Sequence, residues 1–301
     1  MTNPIPLFAL VLALCAQDPA APTKPAPEPA KSPDTITILH ENGLRAREGR
    51  LVHGRREGLW RGWFPNGTQK YEGEFHDYCR VGVWKFWRES GKPEMEGAWK
   101  DGVQEGPWVH YDEQGAKQSE GPYVRGLRHG HWTIYWSDGK KQKEGDFLVG
   151  QRHGPWTFYT VTGIKLSQGS YRFDSQEGPW TRWFEDGTKE FEGSFRDSHE
   201  EGAWVYYHKN GAVRARGVYA SGKRVGEWVD YHDNGQRSRL GSYNAGELAG
   251  KWTTWYPEGQ KESEGVYIAG KASGTWTYWT ADGSVDPEKS GEYREGKQVK
   301  K

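Results

Sequence analysis

Cysteine and methionine are almost absent: the 301 residues contain two of each. Cys15 lies in an apolar N-terminal stretch and Cys79 stands among the repeats described below, which excludes a framework of disulfides as the source of order. Aliphatic side chains are sparse, so a thick Leu/Ile/Val core is excluded as well. An excess of charge is missing too, because 41 Lys and Arg stand against 41 Asp and Glu. A balanced chain lacks the basic surface that phosphate neutralisation requires, so no nucleic-acid partner is expected. No apolar run reaches the ~20 residues of a membrane-spanning helix, and no 3.6-residue period appears anywhere. Catalytic strings are also wanting: there is no G-x-S-x-G, no H-E-x-x-H and no Cys/His pair at zinc spacing. Gly217 to Lys223 and Gly265 to Lys271 imitate a phosphate-binding loop. Arg224 and Ala272 stand where that loop needs Ser or Thr for magnesium, so both are by-products of glycine spacing. The chain is not expected to be an enzyme or to carry a cofactor.

What the chain does have is 41 Gly and 17 Trp, placed with a fixed period. Trp recurs at 60, 84, 108, 132, 156, 180, 204, 228, 252 and 276, every step being 24 residues. A glycine lies two residues before each of these anchors, from Gly58 to Gly274, and another lies seven after, from Gly67 to Gly283. A Trp or Tyr always lies three after the anchor. A further glycine thirteen after (Gly73 through Gly265) precedes an aromatic at fifteen, such as Phe75, Tyr123 and Tyr267. The ends depart from the rule, as terminal repeats do. Ile36 and Leu39 stand where Trp and the second aromatic belong, and Asp286-Pro287 falls in a two-residue insertion before Gly291, Tyr293 and Gly296.

Each unit reads as a β-hairpin. Segments such as Trp132-Thr133-Ile134-Tyr135-Trp136 and Trp204-Val205-Tyr206-Tyr207 are rich in β-formers. They end in Asn66-Gly67, Asp138-Gly139, Asn210-Gly211 and similar pairs, which accept the positive φ angles of tight turns. A second turn, such as Asp101-Gly102, leads into the next unit. With the Asn-Gly turn setting the register, each anchor Trp faces the glycine thirteen residues on, and large rings cover bare backbone. The fold expected is all-β: an elongated array of antiparallel β-hairpins, about eleven units in a twisted single-layer meander. About 22 strands at ~4.8 Å spacing would extend it roughly 100 Å.

The pattern G-x-W-x-x-[YW]-x-x-x-G followed by E-G-x-[YF]-x-x-G resembles the MORN repeat. It looks most like the variant found in many bacterial proteins, often labelled antitoxins. Gly106-Pro107-Trp108, Tyr111, Gly115, Glu120-Gly121, Tyr123 and Gly126 form a representative unit. The resemblance implies a non-catalytic scaffold for protein contacts, with lipid contact proposed for some members.

If the anchors pack inside, the rings three residues later emerge on the opposite face. Trp63, Trp87, Tyr111, Tyr135, Tyr159, Trp183, Tyr207, Tyr231, Trp255 and Trp279 are therefore the candidate binding surface. Such a ladder holds sugars, peptides or cationic groups through flat contacts. The alternative is that both columns pack as thin aromatic layers. His129, His131 and His153 fall on neighbouring rungs, yet a His-Gly step at an exposed turn accounts for them without a metal. Arg45, Arg47, Arg50, Arg55, Arg56 and Arg61 are opposed only by Glu48 and Glu57, and read as a solvated hairpin rather than an anionic-lipid contact.

Ile5 to Ala16 has the length of a signal-peptide core, so residues 1–16 are a candidate signal peptide. Leu12-Ala13-Leu14-Cys15 resembles a lipobox, which would make Cys15 a lipid anchor and the only route to the membrane. Residues 17–34 carry six prolines and form an extended Pro/Ala-rich linker. The array then covers 35–298, with a tail at 299–301. The function expected is an exported scaffold for a protein partner at the cell envelope, whether periplasmic, envelope-associated or secreted. Two alternatives stand beside it: an aromatic-ladder module for glycan or cell wall, and a cytoplasmic antitoxin-like protein.

Overall fold

The computed structural model describes residues 35–299. The candidate signal peptide, the linker and the last two residues lie outside the described residues. Those described form 24 β-strands and no helix. They fall into two compact units: residues up to Lys140 together with Phe147–Gly150, and Lys141–Asp146 together with the residues from Gln151 on.

In the first unit the chain runs as an antiparallel meander from β1 (Thr35–Leu39) to β10 (Gly130–Tyr135), each strand pairing with its sequence neighbours. One strand is interrupted: β9 (Leu127–Arg128) and β10 both pair with β8 (Lys117–Val124), and His129 between them still donates its N–H to the Pro122 carbonyl at 3.0 Å. The second unit repeats the meander from β12 (Gln151–Tyr159) to β24 (Lys297–Gln298). The expected antiparallel hairpins are therefore present in each unit. At the start, Ile36 packs against the Trp60 cluster, so the cap residue does take the place of a Trp.

A one-layer sheet has no second layer to bury its apolar residues, and the anchors resolve this. Trp84 is 0% exposed and Trp204 is 2% exposed. In β16 (His199–Tyr207), Trp204 pairs with Gly217 and Gly202 with Tyr219, both on β17 (Val213–Ala220), which is the expected register. The glycine beneath the ring is a different one. A Cβ on Gly193, in β15 (Lys189–Arg196), would lie 2.2 Å from Cδ2 of Trp204. The cause is a bulge: between β15 and β16 the ladder skips from Glu192–Val205 to Ser194–Glu201. Gly202 sits in that bulge with φ 73°, which only glycine adopts cheaply. The indole thereby folds back over the previous hairpin, and its Nε1–H donates to the carbonyl of Ser194 at 3.2 Å. Trp60 and Trp276 do the same to Arg50 and Val266, each at 3.1 Å.

The anchor ring is then walled by edges. Phe195 and Tyr219 meet Trp204 edge-on at 5.1 and 5.6 Å. Arginine closes the top in several repeats: the guanidinium of Arg128 lies 4.4 Å from the Trp132 ring and that of Arg224 lies 4.2 Å from Trp228. In each unit the core is a row of indoles, each lying on bare backbone, sealed by aromatic edges and guanidinium planes.

The two turns differ from expectation in one respect. At Asn66-Gly67 only the glycine is left-handed, with φ 86°. Gly67 N–H donates to Phe64 at 2.9 Å, and Phe64 N–H donates to Thr68 at 2.8 Å, which makes a three-residue loop ending in a glycine bulge. Asn66 stays right-handed because its side chain is engaged: Oδ1 accepts from Thr68 N–H at 2.9 Å, and Nδ2 donates to Glu89 of the next turn at 3.0 Å. The tight two-residue turns are the others. Asp101 and Gly102 have φ of 50° and 79°, and Phe173-Asp174 adopts the same form without any glycine, at 51° and 67°.

Candidate functional site

Pairing parity puts the second aromatic column on the face away from the anchors. In β14 (Ser175–Trp183), Trp180 pairs with Gly193 and Arg182 with Phe191, and after a one-residue shift Trp183 pairs with Lys189. All ten rings of the column, from Trp63 to Trp279, are half-buried. They are neither a bare ladder nor a closed second layer.

A polar lattice holds the edges of four of them. Tyr111 O–H donates to Glu96 at 3.0 Å, Tyr159 to Glu144 at 2.6 Å and Tyr207 to Glu192 at 2.5 Å, and Tyr135 is bound to Glu120 in the same way. Each tyrosine follows its glutamate by fifteen residues, so the bond joins one hairpin to the next. A lysine three residues before completes the triplet: Lys117 meets Glu120 at 2.9 Å, Lys141 meets Glu144 at 2.6 Å and Lys189 meets Glu192 at 2.8 Å. The spacing Lys-x-x-Glu, with Tyr fifteen residues beyond, is visible in the sequence, but spacing alone does not place the glutamates at the rings. At Tyr231 the glutamate position holds Arg216, whose guanidinium lies 5.7 Å from the ring. Arg45 lies 5.6 Å from the Trp63 ring while pairing with Glu48.

Proton affinities follow this geometry. Partial burial and then the Glu144 bond push the Tyr159 phenol up to about 12, and Tyr207 is raised to about 12 by burial and Glu192. Glu264 is held down to about 2 by hydrogen bonds from Lys251 and then Lys261. A carboxyl with a depressed folded pKa adds stability above its unfolded value, and that stability is lost as pH falls through the folded one. The wild type should therefore exceed Glu264→Gln in urea stability at neutral pH, with the gap closing between about pH 4.5 and pH 2. A gap that stays constant down to pH 2 would rule out the ion pairs as its origin.

The other sequence candidates separate from this face. Among the described residues no three His, Cys, Asp or Glu side chains come together as metal ligands. His153 instead packs on Phe173 at 5.1 Å. Gly217 to Lys223 is strand β17 and its turn, with Gly217 beneath Trp228, so no helix follows to make a phosphate loop. The basic run breaks into local contacts: Arg45 pairs with Glu48 at 3.2 Å, Arg61 with Glu72 at 2.7 Å and Arg55 with Asp77, while Arg56 covers Trp60 at 5.1 Å.

Comparison with known proteins finds one family model on three stretches of the chain. The profile of the MORN repeat variant matches residues 128–148, 176–197 and 248–269. No curated protein matches the chain. Among solved structures the chain is similar to the crystal structure of TcdB2-TccC3-Cdc42, at 12% identity and a TM-score of 0.21, over 84% of this chain and 14% of that one. It is also similar to the Photorhabdus luminescens Tc holotoxin pore, at 10% identity and a TM-score of 0.19, over 82% of this chain. The chain thus spans only 14% and 15% of the length of these two.

Proposed function

We propose that this chain, a repeat array matched by the MORN repeat variant at three places, is a non-enzymatic, exported scaffold holding a protein partner at the cell envelope. The observation that carries this reading is the two-faced sheet. One face is spent on sealing the Trp row. The other repeats half-buried Tyr and Trp rings between paired Lys and Glu, as at Lys189, Glu192 and Tyr207. Aromatic rings held rigid among charged groups are suited to protein recognition, because little side-chain freedom is lost on contact. The phenol edges are already bonded to carboxylates, so fewer donors remain for sugar hydroxyls. Export is supported by the apolar run Ile5 to Ala16 and the proline-rich tether after it.

The test is crosslinking and affinity capture from native envelopes, with the wild type and with Trp183, Tyr207 and Tyr231 all changed to Ser. One protein crosslinked by the wild type and lost in the variant is the expected result. An unchanged pattern would remove the column from the binding surface, and retention by purified wall material alone would favour a glycan ligand. Mass spectrometry should find the mature N-terminus at Gln17 or a lipid on Cys15. Intact Met1 in the cytosol would overturn export.

A further inference from the structure

Beside the row of anchors the same face carries a second row, made by residues paired across successive strands. In the second unit it reads Phe191, Tyr206, Ala215, Asp230 and Arg239, each facing the next across the ladder. Phe191 packs against Trp204 at 5.2 Å. Twenty-four residues on, the equivalent position is Ala215, and the ring is not replaced. A cleft of about 350 Å3 opens there, lined by Tyr206, Arg214, Ala215, Arg224, Asp230 and Arg239 among others.

Three guanidiniums thus face one carboxylate in this cleft. Arg239 is committed to Asp230, at 2.6 and 2.8 Å. Arg224 gives two N–H groups to the hydroxyls of Tyr219 and Tyr243, at 3.4 and 3.2 Å. Arg214 lies over the Tyr206 ring at 5.4 Å. Among the described residues neither Arg214 nor Arg224 has a carboxylate within ion-pair distance. Two uncompensated cations beside a vacancy are an arrangement that an anion completes.

We propose that this cleft is a binding site for a carboxylate group, which Arg214 and Arg224 grip while its flat body rests on the Tyr206 side of the vacancy left at Ala215. The grip that Arg239 has on Asp230 is the same chemistry one strand away. Asp230 also selects against phosphate, since a dianion is repelled by it more strongly than a single carboxylate is. Tyr231 of the second column also borders the cleft, so the variants that test the site, Arg214→Gln and Ala215→Phe, are chosen to leave that column unchanged.

The test is calorimetric titration of the full chain with benzoate, with a blocked peptide carrying one Glu, and with inorganic phosphate. Benzoate binding more tightly than the peptide would mark a free acid as the natural source, and the reverse would mark a side chain of a polypeptide; either result supports the site. Arg214→Gln should weaken the carboxylate probe roughly 10–100-fold, the loss expected of a charge-assisted pair. Ala215→Phe restores the ring that the preceding repeat carries, fills the vacancy and should abolish binding without changing charge. Circular dichroism identical to the wild type shows that both variants fold. Failure of benzoate and peptide alike to bind, phosphate binding as tight as theirs, or full affinity in Ala215→Phe would each overturn the proposal.

Discussion

Trp156→Ala is expected to lower stability by about 3–5 kcal/mol, while Tyr159→Ala, three residues on, costs clearly less. Trp156 is 1% exposed, and its indole N–H bonds to Asp146 at 3.0 Å. Its ring covers Gly145, where a Cβ would sit 2.4 Å away, and meets the edge of Tyr171 at 6.2 Å. Truncation leaves a cavity on a one-layer sheet, a bare carbonyl and unsupported aromatic edges. Tyr159 is half-buried, and when its hydroxyl is removed Glu144 keeps Lys141 at 2.6 Å. Urea melts of both variants decide the matter. Equal losses would mean that the two columns hold the fold alike, and the column of Tyr159 would no longer be a surface free to recognise a partner.

Gly193→Ala should be destabilising although its backbone is ordinary extended strand. The added Cβ would fall 2.2 Å from Cδ2 of Trp204 and 2.3 Å from Cε2, so the indole must leave its seat. Overpacking of this kind costs about 1–3 kcal/mol. The distinguishing result is the coupling. With Trp204→Ala already in place the space is vacant, and adding Gly193→Ala should cost nothing further. A double-mutant cycle measures this directly. Additive losses would show that the glycine serves the strand for its own reasons and that ring-on-backbone contact is not what joins one hairpin to the next.

The candidate site was visible in the sequence as a column but not as an environment. Trp63 to Trp279 could be picked out because three residues along a strand reverses the side-chain direction, apart from a bulge. That Tyr111, Tyr135, Tyr159 and Tyr207 are held at their edges follows from Glu96, Glu120, Glu144 and Glu192 reaching forward from the preceding hairpin, a bond across fifteen residues. Likewise Asn66, expected as a left-handed turn residue, is a tie to Glu89 in the following turn. Periodicity says which residues recur. It does not say which of two flanking hairpins a side chain will lean towards.

That distinction divides the two levels for this protein as a whole. The repeat length, the hairpin order, the anchor column and the pairing of Trp60 with Gly73 are local properties, set by turn residues and alternation, and the sequence alone determined them. Tertiary structure decided that Trp84, and not Trp60, lies over Gly73, because a bulge at Gly82 turns the indole back towards the earlier hairpin. It also decided that Ala215, Arg214 and Arg224 form a cleft, since they lie on neighbouring strands and meet only once the register is closed. Beyond the backbone ladder, a one-layer sheet leaves the contacts between repeats to side chains crossing one strand spacing, and these depend on ring direction, which a linear pattern does not carry.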